Sequence, residues 1–483
     1  MENTLHPDQC YQQLAARDSR FDGAFYVGVT STGVYCRPIC RVRLPQPQRC
    51  RFFPSAAAAE SSGFRPCLRC RPELAPGHSR EDAVGKLAHT AANRIRRGAL
   101  NDGSLETLAS ELGVSSRHIR RALEKEFGAS PLAMAQTARL LSAKQLLTDS
   151  TLSITDIAFA SGFSSVRRFN DAFRKHYRLT PSALRKQTGK TDNGALSFRL
   201  GYRPPLHWDS LAQFLHSRSA AGTSELSNGV LSKTLHLGNL RGWFSATIDD
   251  KKHCLVVNAS PVLSPAFASL TMRLRHYFDL DANPDTIDSH LAQNPQLKPL
   301  IQQTPGLRLP GALDAFELAA RAIIGQQVSV KAASTVFNRL CERFGKTLDT
   351  PVAGLSRLPP RAEVIAVAAE QELIALGLTS RRAATLKSLA DALAQGELHF
   401  DYGDNSADVC RELESLPGIG PWTAQYIALR ALGDPDAFPA SDLALMKAFR
   451  VTTPKASQRA AETLRPWRAY AAIHLWNSLN AGG

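Results

Sequence analysis

A chain of 483 residues is longer than one hydrophobic core organises, and it calls for about three or four domains. Its 43% apolar and 21% charged residues exclude a disordered or fibrous protein, and no apolar run approaches the ~18 residues of a membrane helix. The formal charge of +15 is uneven: residues 1–190 carry 29 Lys and Arg against 16 acids, net +13, leaving +2 for the other 293. That basic front points to a polyanionic partner.

Met1 to Tyr11 is polar and lacks the basic-then-apolar layout of a signal peptide, so a cytoplasmic protein is expected. Nine cysteines, six of them before residue 71, do not form a disulfide framework in that compartment. Residues 1–78 are rich in Arg, Pro and Cys, with little helical periodicity. Cys36-x3-Cys40 and Cys67-x2-Cys70 are close pairs separated by 26 residues, each near turn formers (Gly33 and Pro38, Gly63 and Pro66). Two such pairs deliver the four thiolates of a tetrahedral zinc site, with Cys10 and Cys50 outside it. On spacing alone the plainer reading is a purely structural zinc.

The run Phe25-Tyr-Val-Gly-Val-Thr-Ser-Thr-Gly-Val-Tyr-Cys-Arg-Pro-Ile-Cys40, followed by Gly63-Phe-Arg-Pro-Cys-Leu-Arg-Cys70, resembles the N-terminal domain of the Ada adaptive-response regulators, over almost all of residues 5–75. The resemblance implies that Cys36 irreversibly accepts a methyl group from a DNA methylphosphotriester and that this activates promoter binding. The chemistry is consistent with the charges. Four thiolates on one Zn²⁺ leave about −2, an electron-rich cluster that a neutral triester can approach where a phosphodiester is repelled. Methylation removes one unit of that charge, so affinity for DNA rises. Arg37, Arg41, Arg43, Arg65, Arg69 and Arg71 lie among the cysteines as candidate backbone contacts.

Residues 85–187 are helix-patterned throughout. Ser104 is placed to cap a helix with Leu105, Leu108 and Leu112 on one face, and Gly113-Val114-Ser115 makes a turn. The next helix turns Ile119, Leu123 and Phe127 inward and leaves Arg117, Arg120 and Arg121 outward. The pattern recurs about 48 residues on. Ser153, Ile154, Ile157 and Ala158 precede a Ser161-Gly162-Phe163 turn, Phe169 and Phe173 face inward, and Arg167, Arg168 and Asn170 are free to reach a groove. A single copy is equally well an ordinary bundle; two are a pair of helix-turn-helix units whose second helices read the major groove. Ile157-Ala-Phe-Ala-Ser-Gly-Phe-Ser-Ser164, with Phe169, Phe173 and Thr180-Pro181, resembles the AraC-type DNA-binding domain.

Lys186 to Gly194 has linker composition. Strand-like runs follow at 196–202, 231–237, 243–248 and 254–257, the last two flanking a turn at Asp249–Lys252. The Pro-Cys-His-Arg run of the guanine O6 methyltransferase that often follows an Ada front is absent from residues 190–483.

From Ala312 the pattern is helical again. Leu416-Pro-Gly-Ile-Gly420 gives a sharp turn in which Gly418 and Gly420 expose backbone N–H groups to a phosphate, and Pro421 opens the next helix. A simple helix connection is the bland alternative, and Asp442 in Phe438-Pro-Ala-Ser-Asp442 is equally well a helix cap. In context, Arg321-Ala-Ile-Ile-Gly-Gln-Gln-Val-Ser-Val330, Leu416 to Tyr426, Ile473-His-Leu-Trp476 and Tyr202-Arg-Pro-Pro-Leu-His-Trp208 resemble the AlkA-type helix-hairpin-helix alkylbase glycosylases, across residues 195–480. The resemblance implies that Asp442 is the catalytic carboxylate. It also implies that Trp422, Tyr426 and Trp476 form the pocket for an extruded base, and that Gln327 is the wedge filling the vacated stack, where the family usually has an apolar residue. Strand-cleaving relatives carry a lysine just after the hairpin; Trp422 stands there, so hydrolysis without strand cleavage is expected. No cysteine follows Cys410, so an iron–sulfur cluster is not.

The expected architecture is therefore multidomain. A small α+β zinc domain occupies 1–78, an all-α double helix-turn-helix domain 79–187 and a linker 188–194; an α+β antiparallel-sheet domain fills 195–305 and an all-α helix-hairpin-helix glycosylase domain 306–483. The expected cofactor is Zn²⁺. The expected partners are double-stranded DNA, both alkylated and promoter, and RNA polymerase; no membrane is expected, and the protein is expected to be a nucleoid-associated monomer. The competing reading is a regulator whose C-terminal half binds damaged DNA without catalysis.

Overall fold

The computed structural model describes residues 7–76, 86–186 and 196–480; the linker expected at 188–194 lies outside the described residues. Contacts divide the chain into two compact units, Met1–Pro204 with Ile248–Met272 and Leu280–Ala282, and Pro205–Thr247 with Arg273–Asp279 and Asn283–Gly483.

In the first unit a four-stranded sheet has the order Cys50–Phe53, Tyr26–Val29, Val34–Cys36, Arg65–Pro66. The first three strands pair antiparallel; the last runs parallel to Val34–Cys36, with Val34 opposite Arg65 and Tyr35 opposite Pro66. Alternating aromatic residues fill one face, with Tyr26, Tyr35, Phe53 and Phe64 in one cluster. Helices Pro7–Ala16 and Ala56–Ser61 complete this module. Both were illegible in the sequence: the first is polar on most of its surface, and the second is a short alanine run.

The helical region contains both helix-turn-helix units. Ser104 and Ser153 cap Leu105–Glu111 and Ile154–Ala160, accepting from the Thr107 and Asp156 backbone N–H groups. Gly113 and Gly162 turn the chain at φ +65° and +82°, conformations that favour glycine. The second helices, Ser116–Phe127 and Val166–Tyr177, bury Ile119, Leu123 and Phe127, and Phe169, Phe173 and Tyr177. Between them runs Pro131–Asp149, a helix buried on several sides.

Polar groups tie this long helix to the zinc-spaced loops. Lys144 is 1% exposed and donates to the Cys67 carbonyl (3.1 Å) and to Glu73 (2.6 Å). Arg71 bridges Glu73 (2.8 Å) and Asp149 (2.8 Å). Burial pushes the Glu73 carboxyl up, but Lys144 and Arg71 outweigh it and hold the group below its usual range. Glu60 accepts from the Tyr35 hydroxyl (3.0 Å) and the Thr137 hydroxyl (2.7 Å); burial raises it to about 7. Further along, Leu196–Gly201 pairs antiparallel with Cys254–Ala259, and Asp249 caps the turn at Asp250–Lys252.

The second unit contains an antiparallel meander of Ser224–Ser227, Val230–Leu237 and Leu240–Asp249. The first of these strands is too short and polar to show in the sequence. Its helices include Trp208–Ser217, Ala315–Ile324, Val330–Phe344, Ser380–Gln395, Ser406–Ser415, Pro421–Ile427 and Arg468–Asn480. A two-residue pair, Lys346–Thr347 with Arg357–Leu358, interrupts the otherwise helical C-terminal stretch.

Candidate functional sites

Strand register explains how cysteines 26 residues apart meet. Val34–Cys36 and Arg65–Pro66 run parallel, and the Cys67 N–H donates to the Tyr35 carbonyl (3.0 Å), so Cys36 and Cys67 leave the sheet side by side. The Cys40 N–H folds back onto the Arg37 carbonyl (3.1 Å), returning the second thiol of the first pair. All four sulfurs lie within 4.8 Å of one another. A zinc tetrahedron with bonds near 2.3 Å needs sulfurs about 3.8 Å apart, so the cluster fits that ion. Cys36, Cys40 and Cys67 are buried and Cys70 is half-buried.

The neighbouring arginines divide into two groups. Arg37 is buried, paired with Asp22, and donates to the Cys70 carbonyl (3.1 Å); its backbone N–H points at the Cys70 sulfur (3.4 Å). Arg71 is committed to Glu73 and Asp149. These two brace the loops, which removes them from the six candidate backbone contacts. Arg41, Arg43 and Arg69 are exposed and Arg65 is half-buried, so they remain accessible.

On the recognition helices, Arg117, Arg120, Arg121, Arg167 and Arg168 are exposed and Asn170 is half-buried. Each helix therefore presents a basic surface opposite its aromatic and aliphatic face, the polarity that groove insertion requires.

The third site lies in the second unit. Asp442 caps Leu443–Ala448, its Oδ1 accepting from the Leu445 N–H (3.0 Å). The cap alone does not account for it. Oδ1 also accepts from the Trp476 indole N–H (3.1 Å), and Oδ2 from the Trp422 indole N–H (3.0 Å). Three donors fix the carboxylate in one orientation. Trp422 and Tyr426, four apart on one helix, stack at 8° with centroids 5.3 Å apart, and Trp476 leans over Tyr426 at 53°. With Asp442 these rings line a cavity of about 280 Å³, of a size to hold a single flat base.

The hairpin beneath is glycine-dependent at one position. Gly418 has φ +90°, and a Cβ there would fall 2.0 Å from the Thr385 hydroxyl. Gly420 is different: it caps Pro421–Ile427 at φ −103° with nothing within 4 Å of a Cβ, open on the side where a backbone would approach. Gln327 is exposed at a loop tip with φ +55°, an uncommon conformation for a side-chain-bearing residue. Its neighbour Gln326 donates to the Gly418 carbonyl (3.0 Å) and the Thr423 hydroxyl (3.0 Å), and Arg382 donates to the Gln326 carbonyl.

Sequence reasoning missed part of the cavity. Phe214 and Arg218 reach it from Trp208–Ser217 and its cap, and Arg321 from Ala315–Ile324. Arg430 donates to the Tyr426 hydroxyl (2.9 Å). Burial raises that phenol, yet Arg430 and Arg218 outweigh it and hold it below its ordinary value. An aromatic and an arginine four apart on an amphipathic helix read as surface and core, and only tertiary structure brings them here.

Four family models match: the metal binding domain of Ada over residues 9–73, a helix-turn-helix domain over 108–187, the AlkA N-terminal domain over 197–314, and the HhH-GPD superfamily of base excision DNA repair proteins over 320–468. A probable bifunctional transcriptional activator/DNA repair enzyme AlkA of Mycobacterium tuberculosis is 38% identical over 98% of this chain and 97% of its own. The DNA-3-methyladenine glycosylase 2 of Escherichia coli is 34% identical over 58% of this chain and 96% of its own. Among solved structures, a 3-methyladenine DNA-glycosylase from Archaeoglobus fulgidus shares the fold, with a TM-score of 0.50 at 20% identity, over 59% of this chain and 99% of that one. With the thiolate cluster, the paired recognition helices and the aromatic cavity on one chain, this protein belongs to the family of bifunctional AlkA-type transcriptional activators and DNA repair enzymes.

Proposed function

We propose that the chain senses DNA alkylation on Cys36, activates transcription through its helix-turn-helix units, and excises alkylated bases such as 3-methyladenine at Asp442. Cys36, Cys40, Cys67 and Cys70 hold zinc, which when bound keeps the thiols deprotonated and reactive at neutral pH. The Cys36 sulfur attacks the methyl carbon of a methylphosphotriester. The carbon–oxygen bond breaks with its electron pair on the phosphate, restoring a diester and leaving a thioether. Exposure alone favours Cys70 as acceptor, but its sulfur receives the Arg37 N–H, which dampens its nucleophilicity. Mass spectrometry after incubation with methylated DNA is expected to place the methyl group on Cys36; its appearance on Cys70 would reverse the assignment. The lower charge of the methylated cluster then favours promoter DNA, with Arg117, Arg120, Arg121, Arg167, Arg168 and Asn170 reading bases and RNA polymerase recruited there.

For excision, Gln327 enters the stack, Gly418 and Gly420 grip the backbone, and the extruded base lies against Trp422, Tyr426 and Trp476. Asp442 stabilises the cationic sugar and accepts the proton of the attacking water. The observation that carries this reading is the carboxylate held by two indole N–H groups at the mouth of an aromatic cavity. The competing reading, binding without catalysis, leaves that orientation without a purpose. An excision assay on methylated DNA decides between them: Asp442→Asn is expected to lose base release by about 100- to 10,000-fold while binding persists, and equal release would remove the assignment.

The domains are proposed at 1–78, 79–187, 195–305 and 306–483, with a linker at 188–194; one family model matches mainly within each, and the AlkA N-terminal match runs on to residue 314. The protein is proposed to act as a cytoplasmic monomer on the nucleoid.

A further inference from the structure

The cavity around Asp442 contains more positive charge than a site for cationic bases calls for. Arg218 and Arg321 both line it, and Arg430 lies behind Tyr426. None of the three forms an ion pair with a carboxylate among the described residues. The Arg218 guanidinium lies flat on Phe214, 3.6 Å from the ring centroid, with one nitrogen against the Ser217 hydroxyl (3.3 Å). Burial, with Arg430 and Arg321 nearby, outweighs the attraction of and hydrogen bond to the Tyr426 side chain and lowers it to about 10. Arg321 spends Nη2 on the Ser334 hydroxyl (2.9 Å), while its buried Nη1 has no hydrogen-bond partner among the described residues. A buried guanidinium donor without an acceptor is costly, and Arg321, unlike the other arginines with such a nitrogen among the described residues, lines the cavity. Its natural complement is an oxygen brought in by the ligand.

On the reading of this cavity as a glycosylase site, we propose that Arg218, assisted by Arg321, is the specificity-determining residue for the extruded base. It hydrogen-bonds an exocyclic carbonyl oxygen, so it raises the release of oxo-purines relative to what the same pocket without it would give, and does not do so for amino-purines such as 3-methyladenine. Stacked aromatic rings hold any flat base and do not distinguish what it carries at the six-ring edge. A guanidinium does. It donates to a carbonyl oxygen, and it opposes an amino group, which offers only further donors. It also opposes a ring cation, so the oxygen must offset the like-charge repulsion of a methylated base. For a neutral oxo-purine the same contact assists departure. The bond from C1′ to N9 breaks with its electron pair entering the purine, and the negative charge reaching the oxygen faces Arg218. Water supplies oxygen to C1′, Asp442 takes the water's proton, and the departed base takes up a proton from solvent.

Single-turnover release by the full chain tests this on three duplexes carrying 7-methylguanine, hypoxanthine or 3-methyladenine. The first two have the oxygen, the last an amino group, and only hypoxanthine is uncharged. Arg218→Gln is expected to slow release of 7-methylguanine and hypoxanthine about 10- to 100-fold, the size of a hydrogen bond to a charged group. Release of 3-methyladenine is expected to hold or rise. Equal loss on all three would mean that Arg218 only supports packing, and unchanged ratios would mean that it does not face the base; either overturns the proposal. If Arg218→Gln folds poorly, Arg321→Gln removes the unpartnered donor from a separate helix and is expected to shift the same ratio, which a uniform loss would again contradict. No release of any base by wild type would sink the glycosylase reading and this proposal with it, whereas release with flat ratios sinks only the proposal.

Discussion

The thiolate cluster and the carboxylate cavity solve the problem of assembling a reactive site in opposite ways. The cluster takes its ligands from Cys36 to Cys70, brought together by one parallel strand pair and two tight turns. The cavity draws on residues from Phe214 to Leu479, delivered by helices far apart in sequence. A local site is set by register and a metal; a dispersed site depends on the packing of a whole unit. The first should be all-or-none with respect to its ion, and the second should degrade by degrees as individual contacts are removed.

The sharpest way to break that comparison is to strip zinc. Chelation is expected to abolish methyl uptake while base release by the same sample stays within about two-fold, because among the described residues only the cysteine cluster groups metal ligands. Parallel loss of both activities would show that the sites are not independent. Next in size is Lys144→Met, which leaves Glu73 sharing only Arg71 in a buried setting. Breaking one partner of a buried ion pair costs about 3–5 kcal/mol, to be read as a lowered thermal midpoint, with methyl uptake falling in step. Trp476→Phe keeps a ring in the cavity but removes one donor to Asp442. A charged hydrogen bond of about 1.5–3 kcal/mol implies a 10- to 100-fold slower release at unchanged DNA affinity; a change in affinity alone would place Trp476 in binding instead.

The smallest expected effect is on pH. Glu60 is raised to about 7 in the folded chain by burial. Between its ordinary value and that point the folded protein keeps a proton that the unfolded chain has released, so stability declines as pH climbs through the window and is fuller below it. Glu60→Gln is expected to flatten this slope between pH 5 and 8 in chemical denaturation. A slope unchanged in the variant would assign the dependence to other groups.

The two sites also differ in how much of them the sequence discloses. Cys36, Cys40, Cys67 and Cys70 are legible because metal spacing is a local pattern. The serine caps at Ser104 and Ser153 are legible because a hydroxyl before an apolar period has one common use. Asp442 was visible but ambiguous, since a cap and a catalytic carboxylate look alike in one dimension; the structure shows the cap and adds indole donors from residues 422 and 476 that no local pattern announces. Which of the arginines near the cysteines are committed to the fold was not legible. Arg37 pairs with Asp22, 15 residues away, and Arg71 with Asp149, 78 residues away, as well as with nearby Glu73, and no local pattern announces the distant pairs. Arg218 was silent altogether, and Arg321 showed only as the first residue of a family-like run with no role attached, their surroundings being set by packing and not by neighbours in the chain.

Gln326 has a mechanical consequence. Its amide grips the Gly418 carbonyl of the hairpin and the Thr423 hydroxyl of the helix that follows, so the loop tip bearing Gln327 cannot shift without tugging on that hairpin. If the proposed roles of the two elements hold, wedge and backbone grip are mechanically one piece.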